Sequence, residues 1–70
     1  MKIGHRLKTL RIARKMEPIS MADSLGVSES TYRRYERNES EPTLSIIVKI
    51  TNILNIKITD LLDDEITLKL

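Results

Sequence analysis

Apolar side chains recur every three or four residues along most of this chain, which is the spacing of amphipathic helices. Near the start, for example, Ile3, Leu7 and Leu10 form one such stripe. The pattern predicts five helices, covering approximately residues 4–14, 18–25, 29–37, 44–54 and 58–63. We therefore expect an all-α fold.

The last residues change to strict alternation of polar and apolar side chains over residues 65–70, which is the period of a β-strand. A single strand needs an edge to pair with, and the chain offers no convincing second strand. Two interpretations stay open: a short strand that pairs with the same tail of another subunit, or a frayed C-terminus. We expect one domain over residues 1–63 and a tail over residues 64–70.

Residues 18–37 have the pattern of two short helices joined by a tight turn. Gly26 suits the turn because it adopts a positive φ without steric cost. Pro18 suits the first position of the first helix, and Ser28 is a good N-cap for the second. This segment is therefore predicted to be a helix-turn-helix.

Helical phase divides the second helix of this motif into two faces. At about 100° per residue, Tyr32, Tyr35 and Glu36 point inward. The outer face is basic and hydrogen-bonding: it carries Ser30, Arg33, Arg34 and Arg37, with Glu29 and Thr31 at its flanks. Such a surface is suited to DNA.

The helix-turn-helix and the segments on both sides of it contain a characteristic series of residues: Ile3-Gly4, Leu7, Leu10-Arg11, Met21-Ala22, Leu25-Gly26-Val27-Ser28, Tyr35-Glu36-Arg37, Glu41-Pro42-Thr43-Leu44, Ile47, Ile50, Leu54, Ile56, Asp60, Leu61 and Leu62. In these residues and their spacing the chain resembles the Cro/repressor-like (XRE-type) helix-turn-helix family of bacterial and phage DNA-binding proteins. The resemblance implies a five-helix repressor-like domain and a sequence-specific transcriptional regulator, a repressor. Its partners would be double-stranded DNA and a second copy of the chain on a palindromic operator.

The resemblance implies that the second helix of the motif, the recognition helix, enters the major groove. Its side chains then divide into two sets. Glu29, Ser30 and Arg34 are the candidates for reading bases, since arginine binds guanine in a bidentate manner and glutamate accepts from cytosine N4. The candidates for backbone contacts are Ser28, Thr31, Arg33, Arg37, Lys8 and Arg14. We expect a G·C pair in each half-site.

Arg11 falls on the same side of its helix as Leu7 and Leu10, where a charge needs a partner. Glu36, on the inward face of the recognition helix, is the obvious candidate, and the family commonly pairs these two positions. We assign this ion pair to the architecture of the domain.

The fourth helix carries more apolar surface than one small domain can easily bury. Its predicted core stripe is Leu44, Ile47, Ile50, Thr51 and Leu54, and a second stripe lies at Ile46 and Ile53 with Val48 nearby. A chain of 70 residues is near the lower limit for a self-sufficient core, so dimerisation is expected. The predicted interface is Ile46, Val48, Ile53, Ile58, Ile66, Leu68 and Leu70.

Charge is unevenly distributed along the chain. Residues 1–37 carry nine Lys and Arg against four acids, a net +5, whereas residues 38–70 carry three Lys against six acids, a net −3. The basic half favours a polyanionic partner.

Composition excludes several other classes. The chain has no Cys and one His, so we expect no disulfide, metal site or cofactor, and the acidic run at residues 63–65 lacks the spacing of a cation site. It has neither a nucleophile-base arrangement nor a Gly-rich phosphate loop, so an enzyme is not expected. No apolar run approaches the ~20 residues of a membrane span and no signal peptide is visible, so a cytoplasmic location is expected.

A protein-interaction role is the alternative. Relatives often begin the second helix with Ser and Gln at positions where this chain has Glu17 and Pro18, and neither can donate a side-chain hydrogen bond to a phosphate. The loop after the recognition helix carries two acids, Glu39 and Glu41. These departures fit an antitoxin-like subunit that holds a toxin or another protein partner, with DNA binding secondary.

Overall fold

The structure is a computed structural model that describes the backbone of residues 2–66 and the side chains of residues 2–62. Five helices follow one another: α1 Gly4–Ala13, α2 Pro18–Leu25, α3 Glu29–Glu36, α4 Leu44–Leu54 and α5 Ile58–Ile66. No strand occurs within residues 2–66. The all-α prediction is confirmed.

The core lies where the inner faces of all five helices meet. α2 packs against α3, α1 against α3 and α5, and α4 against α2 and α5. The buried apolar side chains are Ile3, Leu7, Met21, Ala22, Leu25, Tyr32, Tyr35, Ile47, Ile50, Leu54 and Leu61. Tyr32 and Tyr35 lie on the inward face, as the helical phase predicts.

Turns and caps hold the helix ends where the sequence predicts them. Gly26 ends α2 at φ 74°, and Asn55 ends α4 at φ 54°. Lys15 and Asn38 also adopt left-handed backbones, at φ 57° and 59°. The Thr43 side chain accepts from the Ile46 N–H at 3.2 Å and so caps α4.

The start of α1 approaches the end of α3 very closely at Gly4. A Cβ at Gly4 would lie 2.3 Å from the Glu36 carbonyl oxygen and 2.7 Å from that of Tyr35. The Gly4 N–H donates to the Asn38 side chain at 2.9 Å, which joins the same two helix ends. The absence of a side chain at this position therefore sets the distance between α1 and α3.

Arg6 in α1 and Arg14 directly after α1 bind backbone carbonyls of α5 and α4. The Arg14 Nε donates to the carbonyl of Leu54 at 2.8 Å, and the Arg6 Nε donates to the carbonyl of Asp60 at 2.8 Å. The first bond satisfies a carbonyl at the C-terminus of α4, where a cation is also favoured by the helix dipole.

The predicted burial of α4 is wrong for its first residue. Leu44 is 69% exposed, and Val48, one turn later, is 48% exposed. Ile46 and Ile53, predicted to lie in a dimer interface, are half-buried against the domain's own core, and their place in an interface stays a prediction. The reason is that α4 packs against both α2 and α5, so it buries two neighbouring stripes rather than one.

The strand interpretation of the tail is wrong for Glu65 and Ile66, because α5 continues through Ile66. A helix that is already formed gains one hydrogen bond for each residue it adds, which outweighs a short alternating pattern. The predicted strand residues Leu68 and Leu70 lie outside the described part of the chain.

Candidate nucleic-acid interface

The start of α3 is fixed by two hydroxyl side chains. The Ser28 Oγ accepts from the Thr31 N–H at 3.1 Å and donates to the Thr31 Oγ1 at 3.0 Å. Ser28 is therefore used as the N-cap, whereas the Thr31 hydroxyl retains its own proton as a donor.

The underside of α3 is rigidly packed. Tyr32 and Tyr35 are buried and meet edge to face, with ring centroids 6.5 Å apart and planes at 86°. Because these rings anchor α3 on the core, they are not available to stack on bases. The opposite face of the helix is held toward solvent.

Arg11 and Glu36 form the ion pair that the sequence predicts, with the Arg11 Nε 2.6 Å from the Glu36 Oε2. Both side chains are only 9% exposed. Arg11 also donates from its two terminal nitrogens, to the Glu36 Oε1 at 3.3 Å and to the Met16 carbonyl at 2.7 Å. The Glu36 carboxylate is further held by the hydroxyl of Tyr32.

The network raises the pKa of two of its members, Arg11 and Tyr32. The hydrogen bond to Glu36 raises the pKa of Arg11 above its usual value. Burial, followed by the hydrogen bond to Glu36, raises the pKa of Tyr32. Both groups thus remain protonated at neutral pH and donate to the same carboxylate.

The exposed side of α3 carries fewer free cations than its sequence suggests. Arg33 is paired with Glu29, its Nε and a terminal nitrogen lying 2.9 and 2.7 Å from the Glu29 Oε2. Arg37 is paired with Glu39, 3.1 Å between the terminal nitrogen and the Oε1. Arg34 is exposed, and within residues 2–62 it has no ion-pair partner.

A basic pocket lies between α1 and α3. It encloses about 210 Å³ and is lined by Lys8, Arg11, Arg33, Glu36 and Arg37. Three of the four cations are already paired with carboxylates, and Lys8 has no ion-pair partner within the described side chains. The pocket thus has a net positive lining suited to an anion.

The predicted site residues do not all come together. Lys8 joins Arg33 and Arg37 around the pocket, as a set of backbone contacts requires. Arg14 is instead tied to the end of α4 through Leu54. A phosphate contact by Arg14 stays a prediction, with its Nε already occupied.

Sequence reasoning missed the partner of Arg37, which is Glu39 in the turn after α3. The spacing of two residues carried no signal by itself, because only the left-handed turn at Asn38 brings this carboxylate back to the helix. The pair Glu29–Arg33 has the i, i+4 spacing of a helical ion pair and could have been recognised.

Neither a group of metal ligands nor a membrane-spanning helix is found in the part of the chain that the structure describes. There, no three His, Cys, Asp or Glu side chains group as metal ligands would. None of the helices described is long and apolar enough to cross a membrane.

Comparison with known proteins identifies the family. The helix-turn-helix family HTH_3 matches residues 7–61. The chain is 41% identical over 61 residues to the cryptic phage CTXphi transcriptional repressor RstR of Vibrio cholerae, a match that covers 87% of this chain and 54% of the relative. It is 39% identical over 59 residues to the SPbeta prophage-derived HTH-type transcriptional regulator YonR of Bacillus subtilis, covering 84% and 54%.

A solved structure has the same fold. The restriction-modification controller protein C.AhdI of Aeromonas hydrophila superposes with a TM-score of 0.79 at 30% identity, covering 86% of this chain and 91% of that one. The chain spans about half the length of the curated relatives it matches. On the family match, the identities and the shared fold, it belongs to the XRE-type helix-turn-helix family.

Proposed function

We propose that this chain is a DNA-binding transcriptional repressor that acts as a homodimer on a palindromic operator, with α3 in the major groove. One observation carries the proposal: α3 is anchored on the core by buried tyrosines, while its outer face holds Arg34, which is exposed and has no ion-pair partner within residues 2–62. Membership of a family whose relatives are named repressors supports it.

Base reading falls to Glu29, Ser30 and Arg34. Ser30 and Arg34 are exposed and lie one helical turn apart, on the face opposite the tyrosines. Arg33 bonds to only one oxygen of Glu29, which leaves the Oε1 to accept from a cytosine N4. This geometry supports the expectation of a G·C pair in each half-site.

In this proposal the basic pocket binds the phosphate backbone of the DNA. A phosphate at its mouth would meet Lys8, Arg33 and Arg37, with the Thr31 hydroxyl as a further donor at the start of α3. Backbone contacts of this kind position α3 without reading sequence.

The proposed dimer surface includes apolar side chains that the fold leaves exposed. The large apolar side chains that α4 and the start of α5 leave exposed are Leu44, Val48 and Ile58. Val48 and Ile58 belong to the interface predicted from the sequence, and Leu44 is added to it. In the proposed two-fold dimer, these residues would form the interface and both α3 helices would meet the same duplex.

Selection from a randomised duplex library, followed by binding measured against salt, tests the proposal. We expect a palindromic site with a G·C pair in each half, and affinity that falls steeply as salt rises. A chain that binds no duplex even at low salt would contradict it.

A protein-holding role is the second candidate. Ile12 and Ile19, on α1 and α2, are exposed, and Glu17 gives α2 no side-chain cap. An antitoxin-like partner would cover such apolar residues. Weak, salt-insensitive DNA binding in the same experiment would favour this role.

A further inference from the structure

Glu39 is held beside the outer face of α3 by the backbone and not only by its side chain. Asn38 takes a left-handed conformation at φ 59°, and the Glu39 N–H donates to the Arg34 carbonyl at 2.9 Å. This closure of the helix end returns the chain toward α3, and the Glu39 carboxylate then lies 3.1 Å from the Arg37 guanidinium.

In this ion pair Glu39 neutralises Arg37, a cation that would otherwise be available to a ligand in the basic pocket. Arg37 lines the pocket, and its side chain is 57% exposed, with Glu39 at 55%. An ion pair this exposed contributes little to folding stability, because water screens it. Its consequence lies instead in what the arginine can bind.

We infer that Glu39 competes with the DNA backbone for Arg37 and thereby limits affinity for every duplex, independently of sequence. The inference rests on the proposed function, and it concerns a residue outside the predicted contact set. When a phosphate takes Arg37, it releases a counterion, but the carboxylate left behind recruits a cation in its place. The exchange yields almost no net counterion release.

Replacing the carboxylate by an amide of the same shape should remove the competition. For Glu39→Gln, each Arg37–phosphate contact then releases its full share of counterion, so the slope of log affinity against log salt should steepen by about 0.9 per subunit. The gain cannot exceed the free energy of so exposed an ion pair, so affinity at about 0.1 M salt should rise by about two- to fivefold per subunit, and by less as salt rises. Operator and random duplex should gain equally.

Glu41→Gln is the matched control, since it removes one negative charge from the same loop. The N-terminal amino group, rather than an arginine of α3, lowers the pKa of Glu41. We expect less than a twofold change in affinity for this variant. Far-UV circular dichroism at each step verifies that the helices are intact.

A double-mutant cycle assigns the effect to the pair. In an Arg37→Gln background, Glu39→Gln should give no gain beyond that of Glu41→Gln, because the contested cation is gone. The protein is titrated with fluorescent operator and with random duplex between 0.05 and 0.3 M salt, values chosen as roughly the range where the counterion effect is large.

The outcomes separate this inference from the function on which it rests. Steep salt dependence in the parent, with Glu39→Gln indistinguishable from Glu41→Gln, would overturn the role of Glu39 and leave DNA binding intact. A gain that persists in the Arg37→Gln background would also overturn it. No duplex binding by the parent or any variant would remove both.

Discussion

At the scale of single residues, the same side-chain type has different roles according to its partner. Arg11 is buried against Glu36, Arg33 and Arg37 are exposed but paired, and Arg34 has no ion-pair partner within residues 2–62. Arg34, which no carboxylate within residues 2–62 pairs with, is therefore the arginine best placed to bind an external ligand.

Replacing Arg34 by alanine should cost about 1–3 kcal/mol in operator binding and relax the preference at one G·C pair, because a bidentate guanine contact is lost. Lys8→Ala is the control, because Lys8 lines the basic pocket and has no ion-pair partner within the described side chains. It should weaken all sequences alike and reduce the salt slope instead. Selection from a randomised site distinguishes the two; unchanged selectivity in Arg34→Ala would contradict the assignment.

Gly4 is predicted to tolerate no side chain. Its replacement by alanine puts a Cβ 2.3 Å from a backbone oxygen of Glu36, so α1 and α3 must separate. We expect a loss of about 1–3 kcal/mol in the free energy of unfolding, measured in urea.

Gly26→Ala is the contrasting variant, because nothing lies within 4 Å of the added Cβ and only the positive φ of 74° opposes it. About 1 kcal/mol is expected there. A Gly4→Ala variant as stable as the parent would show that the two helix ends can separate at no cost.

At the scale of helices, the position of α3 depends on a polar network with α1. The carboxylate of Glu36 accepts from Arg11 and from Tyr32, and Arg11 also reaches the Met16 carbonyl after α1. One acidic side chain of α3 therefore joins this helix to α1.

Glu36→Ala should lower the free energy of unfolding by about 3–5 kcal/mol, because it leaves a buried guanidinium without its counter-charge. Tyr32→Phe is the control: it removes one hydrogen bond but leaves the ion pair, and should cost about 1 kcal/mol. Thermal unfolding measures both. A Glu36→Ala variant that melts with the parent would mean that Arg11 is satisfied by other groups.

At the scale of the whole molecule, a domain within a chain of 70 residues is too small to cover all of its apolar side chains. Leu44 and Val48 on α4 and Ile58 at the start of α5 are exposed, whereas the basic pocket lies between α1 and α3. The exposed apolar residues and the basic pocket are therefore separate surfaces, as the proposed dimer on DNA requires.

The melting temperature should therefore rise with protein concentration, since association stabilises the folded state by mass action. Val48→Asp should cost on the order of 2 kcal/mol or more in association, about 30-fold in the dissociation constant, because it buries a carboxylate in an apolar seam. The exposed position should leave the monomer folded.

Ile53→Asp provides the contrast, since Ile53 is half-buried in its own core and the monomer itself should lose stability. Sedimentation at tens of micromolar, roughly the range relevant to weak dimers, reads out the assembly. A monomer indifferent to Val48→Asp would contradict both the dimer and the palindromic operator.

Local physics, read from the sequence, determined most of the fold. The helical period, the caps Ser28 and Thr43 and the left-handed turns at Gly26 and Asn55 act within a few residues of chain, so their signals are legible without a structure. The Arg11–Glu36 pair was legible for a related reason: a charge on an apolar face must find a partner.

Tertiary structure decided which stripe of α4 is buried and which arginines stay free. Leu44 and Ile46 are equally apolar, and only the packing of α2 and α5 around α4 leaves the first exposed and covers the second. The carboxylate beside Arg37 was likewise set by the turn at Asn38. Burial and charge pairing depend on what the folded chain brings together, and a residue's own type does not encode that.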